Sequence, residues 1–222
     1  MMSDITVSDI FDLSHTIASK LLESCKFPWE VLDKISDYII KTGLELPTDE
    51  YKKIAENVWV SNSATISPTA TAQGPCIIGH KAEIRHCAFI RGSAIIGESA
   101  VVGNSTEIKN AILFDCVQVP HYNYVGDSVL GYCAHLGAGA ITSNVKGDKT
   151  PVVVKNKKDV YETGYKKFGA IVGDYAEIGC NSVLNPGVII GRNTQVYPLS
   201  SVRGCVPSNS IYKKEGTIIK KR

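Results

Sequence analysis

Two basic side chains and one imidazole are the residues best suited to chemistry in this chain. Arg91 and Lys109 stand eighteen positions apart, and each directly follows an apolar residue of a six-residue repeat, Ile90 and Ile108. His121 comes twelve residues later, inside Val119-Pro120-His121-Tyr122-Asn123-Tyr124-Val125, where the repeat breaks. A pair of cations suits an anion, and a phosphate best. An imidazole near its ordinary pKa suits a general base. A proline-bearing break in a regular scaffold is a common place for such chemistry, and we expect the rung at Pro120 to be distorted.

The element that positions these residues is read from apolar spacing. Val60, Ile66, Ala72, Ile78, Ile84, Ile90, Ile96, Val102, Ile108 and Phe114 recur every six residues. A small residue follows four positions after most of them, from Ala64 to Thr106. The phase returns at Val172, Ile178, Leu184, Ile190, Val196 and Val202. Six fits neither a helix nor a lone strand; it is the period of a parallel β-helix, an all-β solenoid of stacked rungs. We expect that domain over 51–210. Residues 1–50 have helical grammar: Ser8 or Ser14 caps a first helix toward Glu23, and Pro28 opens a second that Gly43 stops. These helices should cap the open end of the coil. Residues 145–168 form a lysine-rich insert whose Val152–Val154 and Val160–Glu162 could pair as a projecting hairpin, a basic arm able to meet phosphates. Residues 211–222 are a basic tail.

Composition narrows the function classes. The 222 residues carry a net charge of +2, which implies no general nucleic-acid surface. Seven cysteines, none in a C-x-x-C pair, read as reduced thiols of a cytoplasmic protein. No leader and no apolar run long enough for a membrane span is seen.

Further motifs carry a resemblance. Arg91-Gly92, Gly103-Asn104, Glu107-Ile108-Lys109, His121-x-x-Tyr124-x-Gly126-Asp127 and Gly137-Ala138-Gly139-x-Ile141-Thr142-x-Asn144, at these intervals, resemble the acetyltransferase domain of the bacterial and archaeal bifunctional enzymes that make UDP-N-acetylglucosamine. The resemblance implies a left-handed parallel β-helix of three strands per turn, an exception to the usual hand of parallel crossovers. It also implies a homotrimer with active sites at subunit junctions. Residues eighteen apart would then stack about 4.8 Å apart. Gln73, Arg91 and Lys109 would share one column, and Asn104 would stand above His86 in another. Two like charges so placed repel by roughly 1 kcal/mol even in water, which calls for an anion between them.

The resemblance implies roles as well. Arg91 and Lys109 would hold a sugar phosphate, and Tyr124 and Asn104 would contact the sugar. His121 would take the proton of the sugar amine as it attacks acetyl-CoA, and Asn144 would orient the amine or the acetyl group. Ala138, Cys180 and Pro198 would line the CoA groove. Transfer would be direct, with acetyl-CoA as co-substrate and no metal. Three departures stand out. His135 replaces an Asn that touches the sugar, Val145 replaces a Tyr, and the 50 residues before the coil hold no nucleotidylyltransferase domain. Two other functions share the fold: a non-catalytic scaffold or regulatory subunit, and a γ-class carbonic anhydrase. The latter carries two zinc ligands five apart, and this chain has no H-x-x-x-x-H.

Overall fold

The computed structural model describes residues 5–157, 159–213 and 216–221, so Lys158, Lys214 and Arg222 of the basic stretches lie outside the described residues. The chain winds into a β-solenoid of about eight turns, built almost wholly of parallel strands. Three flat faces meet at three corners. On the first face Thr65 pairs with Glu83 and Glu83 with Val101; on the second Thr71 pairs with Phe89; on the third Cys76 pairs with Ala94, each eighteen residues on. The six-residue phase follows directly, because each strand sends one apolar side chain inward before the chain turns. From Ile78 to Ile108 and from Val172 to Val202 these inward residues are buried.

The phase break has a simple cause. Glu107 pairs with Tyr124, Tyr124 with Ile141, and Gln118 with His135, all seventeen residues on. Two corners are each one residue shorter, at Asn110 (φ 47°) and Asp127 (φ 49°), in the left-handed region that Asn and Asp tolerate best. The rung at Pro120 is therefore not distorted: Val119 takes the inward place opposite Val102, and Pro120 sits within the regular strand Gln118–His121. Phe114 is likewise one step out of phase. Leu113 pairs with Ile96, and Phe114 is buried against Phe11 at 4.8 Å between ring centroids.

The helical segment lies along the third face rather than over the open end. It begins at Val7–Ile10, where Thr6 and Asp9 form a capping box, and continues as the short turns Leu13–His15, Ser19–Glu23 and Pro28–Val31. The longest helix, Ile35–Glu45, packs on the third-face strands. It covers an outward apolar row, Trp59, Ile77, Ile95 and Ile112, each at most 5% exposed. Burying each such side chain contributes about 1.5–3 kcal/mol. Gly43 does not stop this helix. It lies inside it, because a Cβ there would stand 2.4 Å from the Trp59 ring.

Antiparallel strands close both ends of the coil. Tyr51–Ala55 pairs with Val58–Ser61, and Ile218–Lys220 pairs with Ser210–Tyr212, so the coil reaches two residues past the expected boundary at 210. The insert leaves the coil after Asn144, and Phe168 N–H returns to the Asn144 carbonyl at 3.0 Å. Val153–Asn156 and Asp159–Glu162 do form a hairpin. It does not project: Val152 and Val154 are fully buried, and Tyr161 packs on Phe27 and Trp29. Among the described residues no helix is long and apolar enough to cross a membrane.

Candidate active site

The residues singled out above fall on two corners and one face. The first corner, between the first and second faces, carries a straight line. Asn104 pairs with His121, and the backbone ladder then runs from the His121 carbonyl to Gly139 N–H (3.0 Å), from Ala138 to Asn181 (2.8 Å) and from Cys180 to Leu199 (2.9 Å). Asn104, His121, Ala138, Cys180 and Pro198 thus occupy one column in successive rungs, about 4.8 Å apart. His121 is exposed, and its backbone N–H is fixed by the Asn123 carboxamide oxygen at 3.1 Å. Asn123 is itself buried and bonds the Gly137 and Ala140 carbonyls, so the corner under His121 is rigid. Beside the column, Tyr122 and Leu199 are 62% and 76% exposed.

The second corner, between the second and third faces, carries the cations. Gln73 pairs with Arg91; Ile90 pairs with Ile108, which sets Arg91 beside Lys109; and Lys109 pairs with Gly126. The shared column is as expected, but the charges are already balanced within the chain. Arg91 Nη1 lies 2.8 Å from Glu107 Oε1, and Lys109 Nζ lies 3.6 Å from Asp127 Oδ2. Glu107 also raises the Arg91 pKa through its hydrogen bond and then its charge.

Asp127, which spacing alone does not single out, is the hub of this corner. Its side chain is 6% exposed. Asn110 Nδ2 donates to Oδ1 at 2.9 Å and Asn144 Nδ2 donates to Oδ2 at 2.5 Å. Asn110, Asp127 and Asn144 are seventeen residues apart in turn, a ladder created by the shortened corners. Asn144 Nδ2 also donates to Tyr124 Oη at 3.1 Å. The Tyr124 ring lies across the second face above Gly126, where a Cβ would stand 2.4 Å from the hydroxyl. Burial raises the Tyr124 pKa, with the Asp127 charge acting in the same direction and the Asn144 bond against it, so the phenol stays protonated near neutrality.

His135 lies elsewhere, in the middle of the first face between Gln118 and Glu177, with Nδ1 2.8 Å from Glu177 Oε2. Within one chain it does not reach the second face. The other histidines have their own partners: His80 Nδ1 meets Ser61 Oγ at 2.7 Å and Nε2 meets Glu50 at 3.1 Å, while His86 Nδ1 meets Thr69 Oγ1 at 2.7 Å. Among the described residues no three His, Cys, Asp or Glu side chains converge as a metal site would require.

Comparison with known proteins agrees with the motif resemblance. Residues 72–162 match the family model of the GMPPB C-terminal domain. The chain is 32% identical over 198 residues to the bifunctional protein GlmU of Methanococcus maripaludis, covering 88% of this chain and 48% of that one. It is 38% identical over 117 residues to the bifunctional protein GlmU of Methanococcus vannielii, covering 52% of this chain and 28% of the relative. The chain thus spans about half or less of the curated relatives it matches. Among solved structures, the polysialic acid-specific acetyltransferase NeuO aligns with a TM-score of 0.46 at 15% identity, over 75% of this chain and 88% of that chain. A perosamine N-acetyltransferase mutant from Caulobacter crescentus, in complex with CoA and GDP-perosamine, aligns with a TM-score of 0.36 at 18% identity, over 73% of this chain and 56% of that one.

Proposed function

We propose that this chain is an acyl-CoA-dependent N-acyltransferase that moves an acetyl group onto the amine of an amino-sugar phosphate such as glucosamine-1-phosphate. One observation carries the reading. The second face is bracketed by an imidazole at one corner and two stacked cations at the other, with Tyr124 between. A hexosamine phosphate laid across this face would present its amine to His121 and its phosphate to Arg91 and Lys109. Ala138, Cys180 and Pro198 continue the His121 column and give an extended thioester a track along the coil, with Tyr122 and Leu199 as apolar walls.

His121 would accept the ammonium proton as the amine attacks the thioester carbonyl. The C–N bond forms, the C–S bond breaks, and CoA leaves as its thiol. General base catalysis of this kind supplies about 10²–10⁴-fold. The phosphate would displace carboxylates from the cations. The Arg91–Glu107 pair is solvent-exposed and screened, so exchanging Glu107 for a phosphate there costs little. Lys109 can reach the phosphate while Asp127 stays held by its two Asn partners. Both N–H bonds of Asn144 are already given to Tyr124 and Asp127, so we assign it to positioning Tyr124 rather than to the reacting amine.

The helical segment shields the third face and leaves the first and second open, so self-association would join a first face to a neighbour's second. Repeated three times, that heterologous contact closes a ring. His135 would then meet the acceptor from the adjoining copy. The test is CoA release from acetyl-CoA with glucosamine-1-phosphate and galactosamine-1-phosphate. Turnover with either supports the reading; no turnover and no binding of CoA or any amino-sugar phosphate overturns it.

A further inference from the structure

We infer that Cys116 and Cys133 form a dithiol on the third corner, between the third and first faces, which hydrogen peroxide closes to a disulfide. The geometry comes from the shortened coil. On one side of this corner Leu113 pairs with Leu130, and on the other Gln118 pairs with His135, both seventeen residues on. Cys116 and Cys133 are also seventeen apart, so they stand directly above one another. Had the Asp127 corner kept an eighteenth residue, they would be out of register. One rung is about 4.8 Å, inside the Cα separation of about 4.4–6.8 Å that a disulfide spans. Their φ angles are 60° and 54°, so the two Cβ atoms leave the backbone in the same direction. Both residues are partly exposed. Burial raises the Cys116 pKa, and the neighbouring Cys133 acts in the same direction.

The other cysteines have no such partner. Among the described residues Cys76 pairs with Val58 and Ala94, Cys205 with Ile189, Cys180 stacks between Ala138 and Pro198, Cys25 lies beside Ser24 and Lys34, and Cys87 beside His86. The dithiol corner is also where the helical segment attaches. Asp115 N–H bonds the His15 carbonyl at 3.1 Å, and the His15 ring stacks on Tyr132 at 3.7 Å.

The chemistry balances with one peroxide. One thiolate takes a hydroxyl from hydrogen peroxide to give a sulfenic acid, and the neighbouring thiol sulfur displaces that hydroxyl as water. Two thiols and one peroxide give one disulfide and two waters. This holds whether or not the chain transfers acyl groups.

The test treats native protein with peroxide, blocks remaining thiols with iodoacetamide and digests at Asp without reduction. Cleavage before Asp115, Asp127 and Asp148 puts Cys116 in 115–126 and Cys133 in 127–147. The expected result is these two fragments joined, released by dithiothreitol, with two thiols lost and no dimer. Cys116→Ser should abolish the link and leave a dimedone-trappable sulfenic acid on Cys133. The inference is overturned if exposed Cys87 and Cys180 oxidise while 115–126 and 127–147 remain separate, or if either cysteine pairs elsewhere or between molecules.

Discussion

Replacing Asp127 by Ala should destabilise the protein more than most single substitutions, because three side chains converge on one buried carboxylate. The substitution removes two hydrogen bonds to a charged acceptor, from Asn110 at 2.9 Å and Asn144 at 2.5 Å, and leaves Lys109 without its carboxylate. Hydrogen bonds to a charged group contribute about 1.5–3 kcal/mol each. Asn110 keeps its bond to the Leu32 carbonyl and Asn144 its bond to Tyr124, which limits the loss. We expect about 3–5 kcal/mol in total, in line with breaking other buried pairs. For a chain of this size that lowers Tm by about 6–20 °C. Asp127→Asn keeps one acceptor and the shape of the site, so it should lose roughly half as much. Thermal unfolding followed by circular dichroism measures both variants. A drop of less than about 2 °C for Asp127→Ala, or equal drops for the two variants, would refute the idea that this carboxylate holds the corner.

Two further expectations come from named groups. Lys109→Ala should raise KM for a phosphorylated acceptor more than for the same sugar without phosphate; steady-state kinetics on both compounds decides it, and equal effects would remove Lys109 from the phosphate site. Burial pushes the Cys76 thiol from an ordinary 9.0 up to about 12. The folded chain therefore keeps that proton across the window where the unfolded chain releases it. Stability present below pH 9 is lost as pH rises, by up to about 1.4 kcal/mol per pH unit for this thiol. Cys76→Ala should flatten the alkaline fall in Tm between pH 9 and 11, and superimposable curves would contradict the assignment.

Much of the fold is legible in the sequence because a parallel coil places one inward side chain per strand, and six-residue spacing survives every corner of standard length. The two short corners are not legible from spacing alone, since a one-residue deletion looks like a broken rung until the register is seen. Asn110, Asp127 and Asn144, each seventeen apart, were the available signal. The place of the helical segment was also written in the chain: Trp59, Ile77, Ile95 and Ile112 make a third-face outward row too apolar for solvent. The column of Arg91 and Lys109 follows from spacing, but their carboxylates do not. Glu107 lies sixteen residues from Arg91, off the eighteen-residue column, while Asp127 lies eighteen from Lys109 but is set one place beyond Lys109's true neighbour, Gly126, by the shortened corner. His135 faces away from the second face for the same reason: spacing fixes its rung, while its place mid-strand on the first face fixes its direction.

The most direct measurement is the rate of CoA release from acetyl-CoA and glucosamine-1-phosphate by the wild type and by His121→Ala. If the exposed imidazole at the first corner is the base, kcat falls by about 10²–10⁴-fold while KM for acetyl-CoA changes little. A variant that turns over like the wild type would contradict the account.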